Sequence, residues 1–348
     1  MARKLCCPEC FDDRFLRDHI FPSLTTAKGD CSFCGAANVP LIKPRALRDY
    51  FELLVSVYEP KNAGKTLVEW LKDDWQLFER VIRSEDQVYE LLGTILGNQR
   101  IVRKAFLPSE DYTSEGLAKW DTLRDEMMHR NRWFLDEKID FVRMGQLLDH
   151  LVSREDARKW YRARQHSGGR AFAAIEMGAP PKRLASHGRA NPAGIPYLYL
   201  ASTSRTAVAE IRPHTGDSVY VAEFRTPELR VVDLRNPLKS VSPFLLSDPD
   251  EIGQLRADLP LLQRLGEELT RPVLPHAAAI DYIPSQYLCE FIKRSGFDGV
   301  IYNSSVSKGF NLALFNPEVG SPKSVTGYKV RKVSVDVEPF QRALPSEG

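Results

Sequence analysis

The sequence predicts a multidomain α+β chain: a cysteine-rich amino-terminal knuckle, then a helical domain, then a mixed α/β domain. Three observations carry that expectation. Five of the six cysteines fall within the first 34 residues, apolar residues between positions 44 and 148 recur at helical spacing, and after Arg154 short β-rich runs alternate with helical ones. A length of 348 residues suits two or three domains, and the expected boundaries are 1–40, 41–152 and 153–335, with a flexible tail over 336–348.

The balance of 48 basic against 46 acidic residues leaves a net charge of +2, so bulk charge selects no partner. No run approaches the ~20 apolar residues of a membrane span, and the start MARKLCCPECFDD lacks the apolar core of a secretory signal. The expectation is a soluble, cytoplasmic protein with no membrane partner.

In the knuckle, Cys7-Pro8-Glu9-Cys10 and Cys31-Ser32-Phe33-Cys34 are two C-x-x-C pairs, each able to present two thiolates to one tetrahedral ion. Zinc is the expected metal. Cys6 leaves the register of the first pair open by one residue. Four protein ligands would close the site to water, which makes its role structural. Lys4, Arg14, Arg17 and Lys28 alternate with Glu9, Asp12, Asp13, Asp18 and Asp30, a balance that favours a folding staple over a nucleic-acid contact. Cys289 stands alone and reads as a small buried apolar residue.

The next region supplies LRDYFELLVSVY, LVEWLKDDWQLFERVI, DQVYELLGTIL, LAKWDTLRDEMMHRNRWF and FVRMGQLLDHLV as helices, with breaks at Pro60-Lys61-Asn62-Ala63-Gly64 and around Pro108. Trp70, Trp75, Phe78, Trp120, Trp133 and Phe134 read as interhelical packing. Arg124 and His129 have an R-x4-H spacing that resembles the ribonuclease motif of HEPN helical domains, where an Arg and a His act on RNA. That spacing arises often by chance, and the pair is read here as a solvated helix face. The expected job of the region is to cover, orient or regulate the third domain, and nucleic acid is not an expected partner.

The third region opens with WYRARQ and contains the strands PYLYLA, SVYVAEF, LRVVDL and DGVIYNSS, separated by the helices TSRTAVAEI, DEIGQLRADLPLLQRLGEEL and SQYLCEFIKRSG. In PYLYLA a period of two puts Tyr197 and Tyr199 on one face and Leu198 and Leu200 on the other. Ser202 or Thr203 can cap the following helix, whose last turn carries Glu210. A carboxylate there opposes the helix dipole, a placement that costs ~0.3–1 kcal/mol at exposed sites and so hints at a purpose.

Four pieces, WYRARQ at 160–165, GRANPAG at 188–194, YLYLASTSRTAVAEI at 197–211 and GFDGVIYNSSVSKGFNLALF at 296–315, together resemble the RES domain, over roughly residues 155–330. The cysteine pairs followed by helices resemble the HEPN-like extension that some RES proteins carry. The resemblance implies a fold related to ADP-ribosyltransferases, NAD as the substrate consumed and, for many members, a toxin role with an antitoxin partner. It places the first family Arg on Arg162, the second on Arg189, the strand tyrosine on Tyr199 and the Glu on Glu210. The family Ser falls on Ser304 or Ser305, with Ser304 preferred. Where many members have an Arg soon after that Ser, this chain has Ser307 and Lys308.

These residue types suit that chemistry. A guanidinium fork recognises a pyrophosphate better than an ammonium does, which makes Arg162 and Arg189 candidates for a clamp. Asn191, Pro192 and Gly194 build a turn that lets backbone approach a ligand, and a tyrosine face can stack on nicotinamide or adenine. A fixed carboxylate at Glu210 can stabilise the oxocarbenium-like charge that develops as the nicotinamide–ribose bond breaks. Each residue also has a plainer reading. Arg162 and Arg164 can be helix-surface charges, and Arg189 can simply solvate its turn. Glu210 can pair with Arg205 or Arg212, Ser304 and Ser305 can be turn residues, and Tyr199 a partly buried core aromatic.

The expected activity is NAD degradation by cleavage of the nicotinamide–ribose bond, with water or phosphate as acceptor. Transfer of ADP-ribose to a macromolecule and a zinc-containing HEPN-type RNA-cleaving protein are the alternatives.

Overall fold

The computed structural model describes residues 4–78, 84–155, 159–166, 168–274, 276–334 and 337. The tail expected over 336–348 lies, Val337 apart, outside the described residues.

The amino-terminal segment is built on a small hairpin, β1 (Ala27–Gly29) with β2 (Val39–Leu41), to which Cys6 adds a bridge at Ile42. A π-helical turn at Leu16–Ile20 runs into the short helix α1 (Phe21–Leu24). Phe11 joins this knuckle to the helical region, with its ring 5.6 to 5.8 Å from those of Phe21, Phe51 and Phe78.

The helices of the second region are α2 (Arg48–Val55), α3 (Leu67–Trp75), α4 (Glu85–Leu96), α5 (Gly116–His129) and α6 (Phe141–Asp149). Thr66 and Glu69 form a capping box that starts α3, and Gln76, at φ 49°, ends it in the left-handed region. The helix expected to run on from there stops at Trp75, and residues 79–82 of that expectation lie outside the described residues. The helices break at both expected places, and strands fill the breaks. The stretch around Pro60 belongs to β3 (Tyr58–Thr66), which pairs antiparallel with β4 (Ala105–Pro108) across a register shift between Pro60 and Lys65. Proline is tolerated at such bulged or edge positions because it has no amide to donate.

The third region carries an eight-stranded sheet. Its strands are β5 (Val152–Glu155), β6 (Lys159–Gln165), β7 (Leu198–Ala201), β8 (Ser218–Arg225), β9 (Leu229–Asp233), β10 (Gly299–Asn303), β11 (Phe310–Leu314) and β12 (Ser321–Lys329). The spatial order is β12-β8-β6-β7-β11-β10-β9-β5, antiparallel throughout except where β10 lies parallel to β9. WYRARQ is therefore a strand, which corrects the plainer reading of Arg162 and Arg164 as helix-surface charges. Five helices belong to this region: α7 (Ser204–Glu210), α8 (Pro237–Ser240), α9 (Pro249–Thr270), α10 (Ala278–Asp281) and α11 (Ile283–Arg294).

Period two in β7 sorts its side chains as the sequence predicts. Leu198 and Leu200 pack with Trp160, Phe224, Ile301 and Leu312 on one face, whereas Tyr197 packs with Val300, Tyr302 and Phe315 on the other. That second face meets α9 and α11, whose buried Leu262, Leu265, Leu288 and Ile292 belong to the same cluster as Cys7, Phe51, Leu91 and Trp120. One continuous core thus runs from the knuckle through the helices to the sheet. Trp75, Phe78 and Trp120 lie in it and Trp70 packs against it, while Trp133 and Phe134 are 82% and 83% exposed. The last two are a correction: α5 ends at His129, so they sit on the loop beyond it and not on an interhelical face.

Candidate active site

β6 pairs with β8 from Lys159 to Gln165 but meets β7 only at Tyr161 opposite Ala201. Beyond that point the two strands part, and a cleft of about 450 Å³ opens, lined by residues that include Arg162, Arg189, Tyr199, Glu210, Tyr302, Ser305 and Asn311. The volume falls within the ~300–1,000 Å³ of small-molecule sites. A larger hollow of about 630 Å³ lies among α5, α6 and α9, but its central charges, Arg143 and Asp258, pair with each other at 2.7 Å.

Arg162 donates Nη1 to the Tyr199 carbonyl at 3.0 Å, and its Nε is buried with no hydrogen-bond partner among the described residues. Burial, helped by the neighbouring Arg164 charge, pulls its pKa down to about 10. No carboxylate balances it among the described residues. A buried guanidinium in that state favours an anionic ligand at the cleft.

The GRANPAG turn is fixed from several sides. Tyr199 donates its hydroxyl to Asn191 Oδ1 at 2.6 Å and accepts the Ala190 amide at 2.9 Å. Asn191 Nδ2 reaches the carbonyls of Ser186, Pro192 and Ile195. Gly188 has to be glycine, because a Cβ there would lie 2.5 Å from both Asn191 Oδ1 and Tyr199 Oη. Desolvation of Tyr199 raises its pKa, so the hydroxyl stays protonated and keeps this bond. Tyr199 therefore lines the cleft and also holds the turn, whereas Tyr197 packs against Phe315 at 5.0 Å and offers no stacking face there. Arg189, on this turn, donates Nη1 to the Arg271 carbonyl at 2.8 Å and lies over the Tyr282 ring at 5.1 Å. It is held in place and does not simply solvate its turn.

Thr203 caps α7 by accepting the Thr206 amide at 3.0 Å, and Glu210 is the last residue of that helix. Its Oε1 accepts Ser304 Oγ at 2.7 Å and Asn311 Nδ2 at 2.6 Å. Ser304 Oγ in turn accepts the Val306 amide at 3.2 Å, which leaves its proton for Glu210. These two donors offset the unfavourable dipole placement. The surface pairing of Glu210 with Arg205 or Arg212 does not occur among the described residues. Ser305 lines the cleft, while Ser304 contacts the carboxylate, so the two adjacent serines do different things. Ser307 bonds Thr206 Oγ1 at 3.1 Å and accepts the Gly309 amide at 3.1 Å, fixing the turn onto α7.

Sequence reasoning missed Asn311, Tyr302 and Tyr282. Asn311 had a readable signal, a lone amide within the apolar run FNLALF of β11. The others show themselves only once β10 and the start of α11 converge on the cleft.

At the other end of the chain, Cys7, Cys10, Cys31 and Cys34 are buried with their sulfurs within 4.8 Å of one another. Cys7–Cys34 and Cys10–Cys31 are 3.4 Å apart and Cys7–Cys10 4.0 Å. A tetrahedral site with ~2.3 Å metal–sulfur bonds has sulfur–sulfur edges of roughly 3.8 Å, so the four thiols fit one. Cys6 points its sulfur at the Ile42 carbonyl at 3.8 Å, outside the cluster of four that includes Cys7. Hydrogen bonds from Cys10 and Cys7, and from the amides of Cys34 and Phe33, push the Cys31 thiol well down. Arg124 and His129 do not come together as a pair of solvated charges. His129 is exposed at the end of α5, but Arg124 meets the buried carboxylate of Glu268 at 3.2 Å.

A mixed sheet whose third and fourth strands part, with two arginines and a hydrogen-bonded carboxylate lining the cleft there, defines an α+β protein. The model of the RES domain matches residues 159–336, and the chain belongs to the RES-domain family. Among solved structures the chain is similar to one described as "Crystal structure of the M.tuberculosis MbcT-MbcA toxin-antitoxin complex". The likeness has a TM-score of 0.33 and 13% identity and covers 54% of this chain and 96% of that one. A search of curated proteins found no match.

Proposed function

We propose that the protein consumes NAD by breaking the bond between nicotinamide and its ribose, as the RES-domain resemblance implies. The observation that carries this reading is the placement of Glu210, fixed through Oε1 by Ser304 and Asn311 in the same cleft as the unbalanced Arg162. Arg162 and Arg189 hold the pyrophosphate, and Tyr199, Tyr302 and Ser305 shape the wall around the nucleotide. Glu210 Oε2 faces the ribose. As the C1″–N bond breaks, nicotinamide leaves with the bonding pair, and the carboxylate stabilises the positive charge left on the ribose. Water then forms the new C1″–O bond and releases a proton to solvent; phosphate can take the same place. A toxin role with an antitoxin partner follows from the family.

Zinc held by Cys7, Cys10, Cys31 and Cys34 serves as a structural staple in this reading, and 1–40, 41–152 and 153–335 are its three regions. The RNA-cleaving alternative has less support, since Arg124 is committed to Glu268. Purified protein incubated with NAD alone should release free nicotinamide together with ADP-ribose or ADP-ribose 1″-phosphate. Consumption that depends on an added protein or nucleic acid would favour macromolecular transfer, and an intact NAD pool would reject the reading.

A further inference from the structure

We infer that Arg124 and Glu268 form a strut through which the helical region positions Arg189 in the cleft. Arg124 lies on α5, outside the residues that the RES model matches, and Glu268 lies near the end of α9. Glu268 is buried, with Oε1 3.2 Å from Arg124 Nε and 3.3 Å from the Trp120 indole nitrogen that donates to it. Its Oε2 lies 3.7 Å from Arg271 Nε. Arg271 is clamped twice more, by its amide to the Glu267 carbonyl at 2.9 Å and by Nη2 to the Asp281 carbonyl at 2.7 Å. The main-chain carbonyl of this clamped residue is the one that takes Arg189 Nη1 at 2.8 Å. The contacts thus run from α5 through a buried carboxylate to an arginine of the cleft, with Glu268 linked to Arg124 Nε and Arg271 Nε by ion pairs and not by hydrogen bonds. Because a buried carboxylate between two guanidiniums tolerates little displacement, loss of Arg124 shifts Glu268 and Arg271 and with them the anchor of Arg189.

Arg124 and Glu268 are positioning residues, and their effect on ligand binding rests on the reading of Arg189 as an NAD contact. Arg124→Met is expected to weaken NAD binding about tenfold, the scale of one misplaced charge-assisted hydrogen bond, with kcat nearly unchanged. The same substitution in an Arg189→Ala background should then change NAD affinity little, while the denaturation midpoint falls equally in both backgrounds. Equal losses of affinity in the two backgrounds would overturn the strut. Amide hydrogen exchange supplies a readout that needs no ligand: Arg124→Met should speed exchange at Gly188 and Ala190, whose amides bond Asn191 and Tyr199, and leave β10 and β11 unchanged. If that variant folds poorly, Arg124→Met/Glu268→Gln, which leaves no unpaired buried carboxylate, takes its place. Should wild-type protein bind no NAD, the functional reading falls and exchange alone decides the strut; unchanged exchange at 188–190 would reject it.

Discussion

Tyr199 shows how one side chain at the site serves two ends, since its ring lines the cleft while its hydroxyl ties together Ala190 and Asn191 of the turn that carries Arg189. The turn's composition was legible as a sequence, but its fastening was not, because a hydrogen bond between Tyr199 and Asn191 follows from strand register and not from spacing. The same holds for Ser304: two adjacent serines look alike in sequence, and only the β10–β11 turn shows which one reaches Glu210. Ser304→Ala should therefore lower turnover about ten- to a hundredfold by freeing the carboxylate, whereas Ser305→Ala should act on NAD affinity, as separate kcat and KM measurements would show. Arg162 yields a prediction of opposite sign for stability and function. Its Nε is buried without a hydrogen-bond partner among the described residues and burial holds its pKa near 10, so Arg162→Met should raise the melting temperature of the free protein while abolishing NAD binding. Calorimetry with and without NAD reads both effects.

Among the elements, those with strong local signals were legible. β7 and α7 follow from alternation and a capping threonine, and α9 and α11 from helical periodicity. β3 and β12 were not, since both are largely exposed edge strands without an apolar face, and Pro60 reads as part of a helix break. Edge pairing is settled by the partner strand, which no local window contains. The cysteine knuckle was legible because ligand spacing is a local property, and its four sulfurs lie within 4.8 Å of one another. Cys31→Ser should lose one equivalent of zinc per chain and lower the melting temperature, while Cys6→Ser keeps the metal; metal analysis of the folded variants checks both. Full zinc retention in Cys31→Ser would remove the site.

Across the whole molecule, the three regions read from sequence share one hydrophobic cluster from Cys6 to Phe315, and the helical region reaches the cleft through Glu268. Periodicity located the helices but not their neighbours, so Arg124 looked like a solvated charge until α5 was seen packed beside α9. No described helix is long and apolar enough to cross a membrane. In the proposed reaction the cleft holds NAD through its arginines, and Glu210 helps to break it. Arg189→Ala removes a contact present in both the ground state and the transition state, so it should mainly weaken binding. Glu210→Ala removes stabilisation that grows only as charge develops on the ribose, so it should leave binding largely intact. The most direct measurement is nicotinamide release by folded Glu210→Ala at saturating NAD, with affinity determined by calorimetry on the same sample. The expected result is near wild-type affinity with turnover reduced at least about a hundredfold; release at the wild-type rate would contradict the account.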